Sequence, residues 1–349
     1  MLTYSEDCRY RTFILPPALL TAAPPLAPYA ALATPARAYA TALYPGAALA
    51  APASCIFLSA VRGGPVRLHS LLHPALLAAY PLVSPHTEAH EAPHALLVPP
   101  AAPHTFIAGA RSLIAVFDLT RSGAPPLAAM RTVPTRRSPA TTTTMKGLVT
   151  ALAVAGGVLA AGTNTRQVGL YARDGGGETI GVFEVPGGGG RGVSSLRWSA
   201  CGRYLYIAER VSDEVSVYDI RVTGLRVGSF RGRRALTNQR VDVDVAEGGQ
   251  VFGGGTDGVV RVWEPAGEQG GGEPVAEWQA HEDVVTAAAV HPQGDIVATC
   301  SGSRKTFGLG GVTDSSDSDS EAADESTWDN SLKIWELQRP ARVVDVYGP

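Results

Sequence analysis

From Leu236 to Glu264 the chain reads as three short strands divided by turns. Residues 240–245 run Arg-Val-Asp-Val-Asp-Val, which puts valine on one face of a strand and charge on the other. Glu247-Gly-Gly is a turn, and Gln250-Val-Phe is a second strand that runs into Gly253–Gly255. Asp257-Gly is a hairpin dipeptide, and Val259-Val-Arg-Val-Trp is a third strand ending in an aromatic and then an acid. The same strand type, following a turn and closing on an aromatic or a residue in its place, is predicted near 9–14, 65–70, 113–118, 167–172, 214–219, 258–264 and 331–336. The closing residues Phe13, His69, Phe117, Tyr171, Tyr218, Trp263 and Trp335 step by 56, 48, 54, 47, 45 and 72 residues. The last step returns to the range of the others once an insertion at 303–327 is set aside. Short apolar runs stand upstream of six of these strands, at Ala40–Leu43, Ala95–Val98, Leu148–Val154, Val193–Trp198, Val241–Val245 and Val284–Val290.

Seven repeats of this length, each of four strands, predict an all-β, seven-bladed β-propeller over residues 1–349. Asp257 stands six residues before Trp263, the closing signature of a WD40 repeat. The first blade is expected to be incomplete at the N-terminus, because Met1 leads straight into a second strand at Leu2–Tyr4. Val343–Val346 is expected as the outer strand of blade seven. Residues 18–35 read as a Pro/Ala-rich loop. In the last repeat His281, Ser301 or Thr299, Asp329 and Trp335 match the hydrogen-bonded tetrad that ties WD40 strands together, with Ser301 as the expected hydroxyl. One histidine without a second ligand at metal spacing makes no metal site, so no metal or cofactor is expected.

Composition agrees with a turn-rich β protein: 45% hydrophobic, 17% charged, with 39 Gly and 26 Pro in no collagen period. Cys8, Cys55, Cys201 and Cys300 are far apart, which favours a reduced nuclear or cytosolic compartment over a disulfide or zinc framework. Prolines interrupt the Ala/Leu-rich segment 18–50, making it a poor membrane span. The net charge of −3 conceals an asymmetry: Asp314–Glu325 holds six acids and no base, and the rest of the chain is therefore +3. This insertion, TDSSDSDSEAADEST at Thr313–Thr327, is expected to be disordered. Ser315, Ser316, Ser318 and Ser320 lie among its acids as candidate sites for an acid-directed kinase. The insertion is expected to screen a basic face.

Catalytic chemistry finds little support. Gly187–Gly190 followed by Arg191-Gly192 lacks the Lys-Ser/Thr end of a phosphate loop and does not join a strand to a helix. Asp242 and Asp244 read as one solvated strand face. No serine sits in a nucleophile elbow, so the chain reads as a non-enzyme. The basic stretch is more informative: Arg221, Arg226, Arg231, Arg233, Arg234 and Arg240 fall within 20 residues. In a propeller, outer-to-inner loops share a face, the top, with the turns between second and third strands. Arg231, Arg233, Arg234 and Asn238 are therefore placed on the top face, with Arg304 and Lys305 beside them; Gln239 and Arg240 join them as candidate nucleic-acid contacts. Guanidinium forks suit phosphates and base edges. A solvated, arginine-rich loop is the plain alternative, and Asn238 and Arg240 read equally as capping or blade-bridging residues.

With these residues laid out, the chain resembles the telomerase Cajal body protein family. LTYSEDCRYRTFILPP looks like that family's first repeat end, FLSAVRGGPVRLHS like its next closing strand, and GTNTRQVGLYA like a further strand. The most specific piece is Thr237-Asn238-Gln239-Arg240 before an alternating strand; ATCSGSRK, an acidic insertion and a final strand follow in the family's order. The resemblance implies a propeller that binds small nuclear or Cajal-body-type RNAs, including telomerase RNA. It further implies a role in RNA localisation, ribonucleoprotein (RNP) maturation or pre-mRNA splicing, with RNP proteins as partners. Composition and short loops look like a fungal member. The expected location is the nucleus, with the cytoplasm as a second compartment, and the expected state is a monomer. The competing reading is a protein-interaction propeller, an adaptor in a ubiquitin ligase or in RNP assembly.

Overall fold

The alternating runs become strands because each buries one face between neighbouring sheets while Gly and Pro end it. The computed structural model describes residues 1–337 apart from 23–24, 86, 135–143, 188, 268–269, 293, 295 and 304–328. Seven antiparallel sheets follow one another along the chain as the blades of a propeller. Among the described residues blade one has three strands, Leu2–Ser5, Arg9–Thr12 and Ala30–Ala33. Blade two is Ala38–Leu43, Ile56–Val61, Val66–Ser70 and Leu76–Tyr80, and blade three is Ala95–Leu97, Thr105–Ala110, Leu113–Asp118 and Ala128–Arg131. Blade four is Val149–Ala155, Val158–Thr163, Gln167–Ala172 and Thr179–Glu184, and blade five is Val193–Trp198, Tyr204–Glu209, Val215–Asp219 and Leu225–Phe230. Blade six is Val243–Val245, Val251–Gly254, Val259–Trp263 and Ala276–Gln279. Blade seven has Val285–Val290, Ile296–Ser301 and Leu332–Glu336 among the described residues. The expected outer strand at 343–346 lies outside them.

The inner strands of blades two to seven each contact the next, so they line a common axis. Most carry a β-bulge where they begin: the register shifts between Ala38 and Ala40, Val149 and Ala151, Val193 and Ser195, and Val285 and Ala287. A bulge re-aims the extra side chain and tightens the local twist. Between blades, glycines admit the neighbour's valine. A Cβ on Gly109 would come within 2.5 Å of Val149 Cγ1, and one on Gly162 within 2.5 Å of Val193 Cγ1. Aromatic side chains fill the space farther out: Tyr206, Phe230 and Trp263 pack between blades five and six, with centroids 5.1 and 6.0 Å apart.

One expected boundary differs. The stretch 18–35 is more than a loop: it includes the short helix Leu19–Ala22 and the strand Ala30–Ala33. Ala30–Ala33 pairs with Arg9–Thr12 and completes the outer side of blade one. Proline removes backbone donors and breaks patterns at 24, 25, 28 and 35, which hides a four-residue strand lying between them. Among the described residues no helix is long and apolar enough to cross a membrane.

Candidate functional site

His281 opens blade seven and its side chain is fully buried. Its Nδ1 lies 3.1 Å from both Asp329 Oδ2 and Ser331 Oγ, and its Nε2 lies 2.8 Å from Thr299 Oγ1. Trp335 Nε1 donates to the same Thr299 oxygen at 2.8 Å. These contacts fix one chain of donors: Trp335 N–H to Thr299, Thr299 O–H to His281 Nε2, and His281 Nδ1–H to Asp329. Burial holds His281 below its usual pKa against the opposing pull of Asp329, so the imidazole is neutral. Burial also works against the Asp329 charge. The Ser331 hydroxyl, the Glu282 and Ser331 amides and His281 outweigh it and hold the carboxyl well below the usual range.

Ser301 is therefore not the hydroxyl of the tetrad; Thr299 is. Trp335 pairs directly with Val297, which puts Thr299 one diagonal step away and Ser301 two. Two strand residues span about 7 Å, beyond indole reach for the second step. Ser301 instead donates to the Val284 carbonyl at 3.1 Å.

The basic loop from blade five to blade six does not project as a single face. Arg231 is 68% exposed and lies 3.7 Å from Glu273; its carbonyl accepts from Trp263 Nε1 at 2.9 Å. Arg234 is 70% exposed, has φ +48°, and lies 3.6 Å from Asp257 in the second-to-third turn of blade six. Arg233, between them, is 1% exposed. Its guanidinium donates to the carbonyls of Glu209 and Val241. Burial pushes its pKa down to about 10, opposed by the charges of Asp242 and Asp213. The expected phosphate contact from Arg233 is therefore corrected: a side chain enclosed by protein carbonyls is a strut between blades five and six. The left-handed turn at Arg234 lets its neighbours point opposite ways.

Polar groups from adjacent blades lace the rest of the loop. Asp213 Oδ1 accepts from the Ala235 amide at 2.6 Å, Val211 N–H donates to the Thr237 carbonyl at 2.9 Å, and Arg210 donates to the Asn238 carbonyl. Asn238 is exposed. Gln239 is not aimed outward, since its amide donates to the Gly302 carbonyl of blade seven. Arg240 Nε lies 2.8 Å from Asp242 Oδ1. Burial resists ionisation of Asp242, but Arg240 and Arg197 outweigh it and leave its carboxyl below the usual range. Asp244 meets Arg197 at 3.3 Å and accepts from the Val290 amide at 3.0 Å, so these two acids are engaged in ion pairs rather than forming a simply solvated face. Arg304, Lys305, Ser315, Ser316, Ser318 and Ser320 lie outside the described residues.

The structure thus brings Arg231, Arg234, Asn238 and Arg240 to one rim and withdraws Arg233 and Gln239 into it. Asp257, which helps hold that rim, is marked in the sequence by its hairpin dipeptide; Arg210 and Asp213, which hold it too, do not stand out. The one available signal is positional: each sits at or just after the end of a second strand. Among the described residues no group of three metal-ligating side chains converges.

Sheet topology and the His281–Thr299–Trp335 tie define a WD40 β-propeller. Residues 272–306 match the WD domain, G-beta repeat family. The chain is 28% identical to human telomerase Cajal body protein 1 over 260 residues, covering 73% of this chain and 45% of that protein. It is 37% identical over 105 residues to the fission yeast (Schizosaccharomyces pombe) guanine nucleotide-binding protein negative regulator 1, covering 30% of this chain and 26% of that one. It is therefore a WD40 propeller related, at modest identity, to the telomerase Cajal body proteins. The chain spans less than half the length of these two curated relatives. Among solved structures, the computationally designed Ika8 protein superposes with a TM-score of 0.51 at 15% identity, covering 81% of this chain and 68% of that one, which speaks to fold alone.

Proposed function

We propose that this chain is a non-catalytic RNA-binding scaffold for small nuclear or Cajal-body-type RNAs, acting in the nucleus in their localisation, RNP maturation or splicing. The observation that carries the reading is the breadth of the similarity to telomerase Cajal body protein 1, which runs through 73% of the chain rather than one repeat. The exposed Arg231 and Arg234, with Asn238 between them and Arg240, supply the fitting chemistry: guanidinium forks for phosphate and an amide for an unpaired base. Their partners Glu273 and Asp257 lie at 3.7 and 3.6 Å, long, weak ion pairs that a phosphate would displace readily.

The test is a titration of labelled single-stranded RNA across a salt series with wild type and an Arg231→Ala/Arg234→Ala double variant. The variant is expected to bind more weakly, with a salt slope shallower by about 0.7 for each phosphate no longer held. Unaltered affinity and slope in a folded variant would remove this rim from the interface, and absence of RNA binding by the wild type would remove the function.

A second reading is favoured by the higher identity to the guanine nucleotide-binding protein negative regulator: a propeller that docks protein partners as an adaptor. Pull-downs with and without nuclease separate the two. Partners released on nuclease treatment support RNA, and partners retained support direct protein docking.

A further inference from the structure

Where the inner strands begin lies a ring of side chains that the basic loop does not explain. Ala40, Ala95, Ala151, Ser195, Val243 and Ala287 each pair with the penultimate residue of the adjoining second strand. The residues just before them are Tyr39, His94, Thr150, Ser194, Asp242 and Thr286, one from each of six blades at the top of the channel. Four are small or acidic. The other two are aromatic neighbours: the Tyr39 and His94 rings stack with centroids 4.4 Å apart and planes at 12°. Both are half-buried, so part of the stack faces open space.

Two cations act on this stack. Arg111 directly follows the second strand of blade three, and Arg210 follows that of blade five. Both press their charge on the His94 imidazole. Blade four stands between blades three and five, so Arg210 acts on His94 from across the mouth. Nearby acids are mostly engaged: Glu209 is buried against Arg166 at 2.7 Å, Glu91 meets Arg131 and Glu6 meets Arg37, each at 3.6 Å. On the far side, Asp242 neutralises Arg240. The mouth therefore carries aromatic rings from blades two and three and cations from blades three and five. Burial, and then the two guanidiniums, lower the His94 pKa, so its ring offers a neutral flat face.

We propose that the Tyr39–His94 pair is a stacking platform for an unpaired base of single-stranded RNA, with Arg111 and Arg210 binding the flanking phosphates. This rests on the RNA-binding reading above but places a base at the channel mouth, away from the rim of Arg231 and Arg234. A bare anion would need the cations and not the rings; a nucleotide uses both. Arg210 keeps its bond to the Asn238 carbonyl and so links the platform to that rim.

Stacking and phosphate binding leave different marks. The full chain is titrated with labelled single-stranded RNA over a salt series. Tyr39→Leu, which keeps apolar volume without the ring, is expected to weaken binding about tenfold with the salt slope unchanged. Tyr39→Phe is expected to bind like wild type. Arg111→Ala is expected to make the slope shallower by about 0.7. Photo-crosslinking with 5-bromouridine RNA is expected to mark the peptide that contains Tyr39. Wild-type affinity in a folded Tyr39→Leu variant, or crosslinks confined to other blades, would overturn the platform while leaving RNA binding intact. Equal displacement of RNA by tripolyphosphate at matched charge would also overturn it. Failure of the wild type to bind RNA would overturn the underlying reading as well.

Discussion

Arg231, Arg233 and Arg234 are near neighbours in sequence, yet only two of them meet solvent. The chain turns left-handed at Arg234, and the Arg233 guanidinium is enclosed by the Glu209 and Val241 carbonyls. Arg233→Ala would leave those carbonyls unpaired and the charges of Asp213 and Asp242 less compensated. It is expected to lower unfolding free energy by roughly 3 kcal/mol, the range for breaking a buried charged contact, measured by urea titration. An unchanged midpoint would show that the strut contributes nothing to stability. Arg233→Lys is expected to recover little, since an ammonium cannot reproduce the fork. His69, buried and 3.1 Å from Ser59, gives a pH signature. Burial, and then Arg67, lower its pKa to about 4 from an ordinary 6.5. Between those values the unfolded chain takes up a proton that the folded chain refuses. The contribution is thus complete above pH 6.5 and disappears as pH falls towards 4. His69→Gln is expected to flatten the decline in stability between pH 7 and pH 5 by roughly 2 kcal/mol; an equally steep decline in the variant would sink the assignment.

At the scale of strands, the blades interlock through glycine and are tied within by hydrogen bonds. Gly162→Ala would drive a Cβ to 2.5 Å from Val193 Cγ1, and the neighbouring inner strand would have to shift. Overpacking of this kind costs about 1–3 kcal/mol, expected as a lower thermal midpoint, and a second change, Val193→Ala, is expected to recover part of it. Failure of the pair to recover would mean the two blades do not meet there as described. In blade seven, Thr299→Val is expected to cost about 1–3 kcal/mol, because His281 Nε2 and Trp335 Nε1 are both left without their partner in a buried place. Ser301→Ala is expected to stay within about 0.5 kcal/mol, the usual range away from such features; the reverse order in urea midpoints would restore Ser301 to the tetrad. The all-β, seven-bladed class was legible from chain periodicity, because aromatic strand ends and turn dipeptides recur at blade spacing. Thr299 against Ser301 was not legible. Both are hydroxyls two residues apart on one strand face, and only pairing register tells them apart.

For the whole molecule, charge is the property that sequence conveys best and structure refines. Arginine clustering at 221–240 is plain in the sequence. Withdrawal of Arg233 and Gln239 is not, because it depends on carbonyls contributed by blades five, six and seven. The channel-mouth cations were hidden for a related reason: Arg111 and Arg210 lie far apart in sequence and act on one imidazole only when the sheets close around an axis. Deleting 313–327 would remove the six acids of Asp314–Glu325 and take the net charge from −3 to +3. Faster RNA association and a steeper salt slope are expected. Unchanged association across the salt series would show that those acids do not screen the RNA-binding face. Lacing of the rim bears on heat and order. Loops of blades five, six and seven are already fastened to one another through Arg210 and the Asn238 carbonyl, Asp213 and the Ala235 amide, and Gln239 and the Gly302 carbonyl. Chain entropy at this rim has been surrendered during folding, so a bound strand need only order itself. Backbone amides of 231–240 would then exchange with solvent at nearly the same rate with and without RNA, and the entropic penalty of complex formation would belong to the nucleic acid.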